Sequence, residues 1–264
     1  MRLRTVLPSL VALSLLSVTP SARADDANPT PDELARNTLD HDTFGFEGTQ
    51  IHARLILTDP SGQTQERAFD GISKKGDGRL VKSVIRFSAP ANVAGTAFLM
   101  IQHAGAPDEQ YIYLSRMKTT RRIGVTGERQ GSFMGSDFSY ADLERKDVRD
   151  ATYARLPDDP VGKDPCFVLQ STPNPGTAVY SKVITWVRQK DWIPLRVQMF
   201  GKDGQLDKTM FTRRVRVVDG RPVVVESHTE NARTHHQTDL VLDDVQFKSD
   251  LPDAAFTPAA LEHG

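Results

Sequence analysis

The chain has 264 residues, with 33 basic and 34 acidic side chains, and its formal net charge is −1. A nucleic-acid-binding face needs clustered basic residues, so this balance argues against nucleic acid as a partner. The single cysteine, Cys166, excludes an intramolecular disulfide, but the chain is long enough to bury one sizeable core without a cross-link.

The N-terminus has the features of a cleavable secretory signal. Two arginines precede an apolar run over residues 6–18, and Ala22-Arg23-Ala24 has the small-residue form that signal peptidase cleaves. The run is shorter than the roughly 20 apolar residues that a spanning helix needs. We therefore expect a signal peptide over 1–24 and a single soluble domain over 25–264 that works in the periplasm. No cysteine lies near the predicted cut, so no lipid anchor is expected there.

One helix and then a series of strands are predicted along the domain. Thr30-Pro31-Asp32-Glu33 combines a hydroxyl cap, a proline in the first turn and an acid three residues after the cap, and predicts a helix that ends near His41. From residue 49 onward apolar and polar side chains alternate, as in strands with one buried face. Strands are predicted over 49–57, 63–73, 79–88, 96–103, 110–115, 165–172, 180–189, 193–200, 209–217, 223–228 and 234–248.

Turn sequences separate several of these strands and predict antiparallel pairing between neighbours. They are Asp59-Pro60-Ser61-Gly62, Lys75-Gly76-Asp77-Gly78, Lys202-Asp203-Gly204 and Asp219-Gly220. A sheet of about ten or eleven strands must curl or close to protect its edges and its apolar face. The sequence therefore predicts a mainly β domain, α+β in its helix content, built on one curved antiparallel sheet.

The alternation stops between about Gly124 and Pro165. Residues 131–140, Gly-Ser-Phe-Met-Gly-Ser-Asp-Phe-Ser-Tyr, place four large apolar or aromatic side chains among glycines and serines. Burial of such side chains contributes about 1.5–3 kcal/mol each, so we expect this stretch to be covered. It is interpreted either as a lid or plug over a cavity or as a part that completes the core. Residues 141–149 predict a second short helix, and 156–163 an exposed loop.

The sequence lacks the usual patterns for catalysis or metal binding. The G-x-S-x-G, H-E-x-x-H and P-loop patterns are absent. Cys166 lies in an apolar strand and is interpreted as a small buried hydrophobe. His235-His236 is adjacent on a predicted strand, so its two rings point to opposite faces and cannot readily hold one ion.

A group of acids after residue 136 is interpreted as a solvated helix face with a capping acid, rather than as a general acid–base pair. Its members are Asp137, Asp142, Glu144 and Asp147. Ser139-Tyr140-Ala141-Asp142 is interpreted as a second helix cap. With neither a nucleophile nor a ligand cluster in the sequence, we expect no enzyme activity, no catalytic residue, no metal site and no cofactor.

Three stretches resemble a known family. Tyr111-Ile112-Tyr113-Leu114, Arg121-Arg122-Ile123 and residues 132–143, with their Phe-Met-Gly-Ser-Asp-Phe-Ser-Tyr run, are similar to the outer-membrane lipoprotein-sorting proteins of Gram-negative bacteria, relatives of the periplasmic carrier LolA. Weaker similarity at 191–195 and 252–257 extends the resemblance over the predicted domain. It implies an incomplete antiparallel β-barrel that curves around short helices and encloses an apolar cavity.

The resemblance also implies a function. It indicates a non-enzymatic periplasmic carrier that holds an acyl chain, another lipid or a lipoprotein in its cavity and contacts membranes transiently. An RND or MMPL-type inner-membrane exporter is the implied partner. The alternative is an envelope sensor or adaptor that binds lipoproteins and a membrane signalling partner. A hydrolase acting on lipid or glycan is the least favoured, because its motifs are missing.

The expected cavity lining follows from the alternation and from residues 131–140. On strand 110–115, Tyr111 and Tyr113 share one face and Ile112 and Leu114 the other, and we take the second pair as inward. The expected lining is Phe98, Met100, Ile112, Leu114, Phe133, Met134, Phe138 and Trp186. Plain core packing is the alternative for each of them. Arg121 and Arg122 are expected to hold a lipid head group at the rim, or to cover apolar surface with their stems.

Overall fold

The computed structural model describes residues 28–39, 48–75, 80–103, 106–125, 127–144, 147–176, 178–248 and 250–263. The predicted signal peptide over 1–24, the predicted helix end at His41 and the turn residues 76–78 lie outside these ranges. No helix within the described ranges is long and apolar enough to cross a membrane.

Helix α1 (Pro31–Leu39) begins at the predicted cap. The Thr30 amide donates to Glu33 Oε2 (2.9 Å), and the Glu33 amide donates to Thr30 Oγ1 (3.3 Å). These reciprocal bonds satisfy two amides that have no partner within the helix. The hydrogen bonds from Thr30 to the Glu33 carboxylate lower the pKa of that carboxyl. Leu34 and Ala35 of α1 are buried.

Thirteen strands make up the sheet in the described part of the chain. They are β1 (Thr49–Thr58), β2 (Thr64–Lys75), β3 (Val81–Ala89), β4 (Ala97–Ile101), β5 (Glu109–Leu114), β6 (Thr119–Arg122), β7 (Ala151–Leu156), β8 (Cys166–Pro173), β9 (Lys182–Arg188), β10 (Pro194–Phe200), β11 (Leu206–Val218), β12 (Arg221–Asn231) and β13 (Gln237–Phe247). Helix α2 (Ala260–His263) follows near the C-terminus.

The sheet is antiparallel throughout and is not closed. Its strand order is β6-β5-β4-β3-β2-β1-β13-β12-β11-β10-β9-β8-β7, so β6 and β7 are its two edges. The pairing of β1 with β13 joins the first half of the sheet to the second. Residues 123–150 connect one edge strand to the other, and we call them the connecting segment.

The sequence predicted eleven of these strands and missed the two edges. The β6 sequence, Thr-Thr-Arg-Arg, contains no apolar residue to alternate, and β7 lies in the region where the alternation stops. The second predicted helix, over 141–149, is also wrong. Two short 3-10 turns, Tyr140–Leu143 and Val148–Asp150, lie there instead.

One face of the sheet, which we call the inner face, carries the main core. It bears Leu55, Phe69, Phe98 and Leu240, and side chains from the connecting segment pack against them. Because one buried cluster collects side chains from β1 to β4 and from β12 and β13, the sheet curves around it. Helix α1 packs on the same face at the other end, against Leu169 and Val187.

The outer face is covered separately at each end of the sheet. Phe256 and Leu261 of the C-terminal region pack on Val84 and Leu99, and Tyr111 and Tyr113 lie in the same cluster. At the other end, Cys166, Val168 and Trp186 form a second outer cluster with Leu195 and Val224. These coverings leave the inner face and the connecting segment as the place where a site can form.

Candidate functional site

Aromatic side chains of the connecting segment fill part of the inner face. The ring of Phe133 lies 5.8 Å from that of Phe87, 5.3 Å from that of Phe98 and 5.7 Å from that of Tyr140, measured between centroids. Phe133 and Phe138 are buried. We call residues 131–143 the aromatic loop, since it inserts these rings between the two halves of the sheet.

The aromatic loop is folded by its own short bonds. The Phe133 amide donates to the Phe138 carbonyl (2.7 Å), and Ser136 Oγ donates to the Phe133 carbonyl (2.7 Å). Met134 and Gly135 at the tip both have positive φ, 53° and 80°. Glycine adopts this conformation freely, whereas a residue with a Cβ is strained there. The loop is therefore a compact turn that presents Phe133 and Phe138 on one side.

Asp137 ties this loop to strand β13. Its amide donates to Thr238 Oγ1 (2.9 Å), and the Thr238 hydroxyl donates to Asp137 Oδ2 (2.7 Å). His236 Nδ1 lies 2.8 Å from the same carboxylate oxygen. A buried carboxylate must be paired or hydrogen-bonded, and these contacts meet that requirement.

Asp142 and Lys208 form the second tie. Lys208 Nζ donates to Asp142 Oδ2 (2.6 Å) and to the Asp137 carbonyl (2.6 Å). The Tyr180 hydroxyl donates to Asp142 Oδ1 (2.8 Å), and the Ser139 amide to Asp142 Oδ2 (2.7 Å). The side chains of Lys208 and Asp142 are only 9% and 11% exposed, so this ion pair is screened little by solvent.

These contacts set the protonation of the pair. Burial by itself would raise the pKa of the Asp142 carboxyl. The charge of the Lys208 ammonium and the hydrogen bonds that the carboxylate accepts outweigh that effect, so the pKa of Asp142 is lowered. Burial, followed by the charge of Asp142, raises the pKa of the Tyr180 hydroxyl. Asp142 is therefore ionised and Tyr180 neutral near pH 7.

The predicted solvated face of acids is thus wrong, but the predicted capping acid is confirmed, because Asp142 accepts a hydrogen bond from the Ser139 amide at the start of the Tyr140–Leu143 turn. Asp137 is buried, Asp142 is mostly covered, and Glu144 is mostly covered and accepts a bond from the buried Arg129. Asp147 is the exposed member, with 44% of its side chain accessible. Three of the four acids hold the connecting segment in place. The partners of Asp137 and Asp142 come from β11, from β13 and the turn before it, and from the chain before β9, so the local sequence could not reveal them. Glu144 is paired within the connecting segment.

An apolar cavity lies beside the aromatic loop on the inner face. The enclosed space is small, about 40 Å³, and the cavity together with the open space at its mouth amounts to about 580 Å³. Its apolar lining includes Ile51, Phe69, Ile85, Phe98, Leu143 and Leu240. Ile51 and Ile85 are only half-buried although they face this core, so apolar surface is accessible from the mouth.

Most of the side chains predicted to line a cavity meet on the inner face. Phe98, Met100, Phe133 and Phe138 belong to the main core cluster, and Met134 packs against it. Ile112 is buried and pairs with Phe98, which places it on that face, whereas Tyr111 and Tyr113 pack in the outer cluster. Leu114 follows Ile112 by two residues and is half-buried. Of this predicted set, Phe98 lines the cavity itself.

Trp186 does not lie with these residues. Its neighbour Thr185 pairs with Val197, which in turn pairs with the inward Met210, so Trp186 points to the outer face. There it packs with Cys166 and Val168, and its Nε1 donates to Asp159 Oδ2 (2.8 Å). The predicted lining role of Trp186 is therefore corrected.

Arg121 and Arg122 lie on the edge strand β6. Arg121 Nη1 donates to Glu128 Oε1 (3.1 Å), and Arg122 Nη2 lies 4.0 Å from Glu109 Oε1. Their side chains are 48% and 57% exposed, so both lie at the rim of the sheet.

The remaining candidates for chemistry are placed as follows. Cys166 is buried, as predicted, and burial raises the pKa of its thiol. His235 and His236 lie in the turn before β13 and not on a strand as predicted. Within the described ranges, no three His, Cys, Asp or Glu side chains form a group that could hold a metal ion.

Comparison with known proteins identifies relatives of this fold. A family model described as "Uncharacterized protein" matches residues 79–263. No curated protein matches the chain. The crystal structure of an outer membrane lipoprotein-sorting protein domain from Vibrio parahaemolyticus is 26% identical and has a TM-score of 0.82. That match covers 88% of this chain and 98% of the other.

Two further crystal structures are similar over nearly the same length. A DUF1329 family protein from Desulfovibrio piger is 27% identical, with a TM-score of 0.81 and coverage of 88% of this chain and 100% of that one. A LolA superfamily protein from Nitrosomonas europaea is 18% identical, with a TM-score of 0.69 and coverage of 87% and 98%. At that identity the third match shows the shared fold alone.

Proposed function

We propose that this chain, a member of the family whose model matches residues 79–263 and similar in structure to an outer membrane lipoprotein-sorting protein domain, is a carrier that holds a lipid or the acyl chain of a lipoprotein. The observation that carries this proposal is the apolar cavity between the inner face and the aromatic loop. The role needs binding and release and no bond-making step, so the proposed protein is not an enzyme.

The physical demand on such a carrier is a dry place for an acyl chain. Each methylene removed from water contributes about 0.8 kcal/mol, so a chain of a dozen methylenes favours the cavity by roughly 10 kcal/mol before the costs of binding. Ile51 and Ile85 offer accessible apolar surface at the mouth. The enclosed space of about 40 Å³ is too small for such a chain, which also requires the space that Phe133 and Phe138 now occupy, so the aromatic loop is the proposed moving part.

The proposal includes a place of work and a partner. The predicted signal over 1–24 supports export to the periplasm, where a lipid must be shielded from water between two membranes. An RND or MMPL-type inner-membrane exporter stays the predicted partner, on the strength of the family resemblance.

A cavity-filling variant tests the carrier role. Ser83 lines the cavity and is half-buried, so Ser83→Phe places a ring in the space that a chain would take, whereas Ser83→Ala leaves it open. We expect a fatty acid with a fluorescent acyl chain to bind wild type and Ser83→Ala alike, and Ser83→Phe at least about tenfold more weakly.

Native mass spectrometry gives the second readout. Wild-type protein purified from a Gram-negative host is expected to carry lipid, and the Ser83→Phe variant to carry less. Wild-type protein that is always empty and binds no fluorescent fatty acid would contradict the proposal. Equal binding by Ser83→Phe and Ser83→Ala would show that this cavity is not the binding place.

A further inference from the structure

The inner-face side chains of β2 change from apolar to polar along the strand. Phe69, Gly71 and Ser73 line the apolar cavity, and Phe69 is paired with Ala53. Two and four residues before Phe69, Arg67 pairs with Leu55 and Gln65 pairs with Leu57. Leu55 and Leu57 belong to the main core, so Arg67 and Gln65 also face inward, where a strand of this kind usually carries apolar side chains.

Arg67 has no ionic partner among the described residues. Its Nε is buried without a hydrogen-bond partner, and burial lowers the pKa of its guanidinium. Arg54 on the neighbouring strand differs, since its outward side chain bonds Glu66 (3.0 Å) and Asp243 (2.8 Å). A cation that is partly desolvated and unpaired is costly to the folded protein and favours an anionic ligand.

A second, polar cleft surrounds this guanidinium. It contains about 350 Å³ with its opening and is lined by Leu57, Asp59, Gln63, Gln65, Arg67, Gly135 and His236. The Asp59 carboxylate is a negative charge in this lining, but its Oδ1 accepts bonds from the Ser61 amide (2.8 Å) and the Gln63 amide (3.0 Å) and not from Arg67. Gly135 of the aromatic loop keeps the cleft open, since a Cβ there would lie 3.3 Å from Arg67 Nη2.

We propose that this cleft binds the anionic group, carboxylate or phosphate, of an amphiphile whose acyl chain lies in the apolar cavity. The inference rests on the proposed carrier function and adds the class and the orientation of its cargo. Arg67 and Gly71 are four residues apart on one strand, or about 13 Å at the rise of an extended strand. Head group and chain thus bind along one face of β2, and the planar guanidinium matches either anion with two parallel bonds.

The test uses three probes that carry the same fluorescent acyl chain: a fatty acid, its methyl ester and a phosphatidic acid. At pH 8 we expect wild-type protein to bind both anions about tenfold more tightly than the ester. Arg67→Met should lower the affinity for both anions about tenfold and leave the affinity for the ester unchanged. Arg67→Lys should bind the anions with an affinity between those of wild type and Arg67→Met. Arg54→Met removes the same charge from the outer face of the neighbouring strand and should change nothing.

Each contrary result has a separate meaning. If wild-type protein binds none of the probes, the carrier function itself fails. If it binds acid and ester equally, or if Arg67→Met keeps the preference, the carrier stands and the anion site is overturned. If inorganic phosphate binds only when Arg67 is present, while the fatty acid and its methyl ester bind with equal affinity, the cleft binds a free anion and the proposal of an amphiphilic ligand is wrong. A urea unfolding curve for each variant confirms that the comparison is made on folded protein.

Discussion

Replacing Lys208 tests whether buried charge holds the aromatic loop. Lys208→Met keeps much of the side-chain volume but leaves the Asp142 carboxylate buried without its counter-ion and the Asp137 carbonyl without its donor. Breaking a buried ion pair by removing one partner costs about 3–5 kcal/mol. With a urea slope of about 2 kcal/mol/M, the unfolding midpoint should fall by roughly 2 M.

A double-mutant cycle separates the pair from the rest of the fold. Lys208→Met combined with Asp142→Leu removes both charges, so we expect the double variant to be clearly more stable than the sum of the two single losses predicts. Lys202→Met, on an exposed hairpin, is the control and should change the free energy of unfolding by less than about 0.5 kcal/mol.

Hydrogen exchange adds a local readout. The Asp137 and Ser139 amides, which donate to Thr238 and Asp142, should exchange faster in Lys208→Met than in wild-type protein. The reasoning is refuted if the single variant loses less than about 1 kcal/mol, or if the two substitutions are additive.

Low pH, the shortening of one core side chain and thiol labelling test other parts of the structure. The folded pKa of Asp142 lies below its unfolded value of about 3.9, so its stabilising contribution is complete above pH 3.9 and is lost as the pH falls through the folded pKa. In urea unfolding curves, lowering the pH below 4 should therefore decrease the free energy of unfolding more for wild-type protein than for Asp142→Asn. Phe133→Ala should lower the free energy of unfolding by about 3–5 kcal/mol, whereas Met117→Ala, at an exposed residue, should lower it by less than about 0.5 kcal/mol. If thermal denaturation shows similar losses for the two variants, the Phe133 ring does not belong to the core. Cys166 should react with a thiol reagent only as the protein unfolds, and rapid labelling of native protein would contradict its burial.

Local patterns in the sequence were sufficient to predict most of the sheet. The alternation from residue 49 onward and the turns at Asp59 and Lys202 fixed eleven strands to within a few residues, because each strand buries one face and each turn needs special backbone angles. The Thr30 cap was predictable for a similar reason, since its partners lie within three residues.

Long-range contacts explain what the sequence did not reveal. The burial of Asp142 depends on Lys208, 66 residues later, and on Tyr180, 38 residues later. Alternation also shows which side chains share a face without showing which face is inner, and for that reason Trp186 was placed on the wrong one. The same limit hid Arg67, which the local pattern marks only as another polar side chain.

The connecting segment is tethered at both ends, to edge strand β6 and to edge strand β7. If the aromatic loop moves as proposed, it leaves the inner face but cannot diffuse away from it. In the proposed carrier, a lipid then competes for this space with the tethered loop, whose effective concentration is set by the length of the tethers and not by the amount of protein in the cell. Such competition lowers the affinity for cargo, and it returns the empty protein to its closed form without any input of energy.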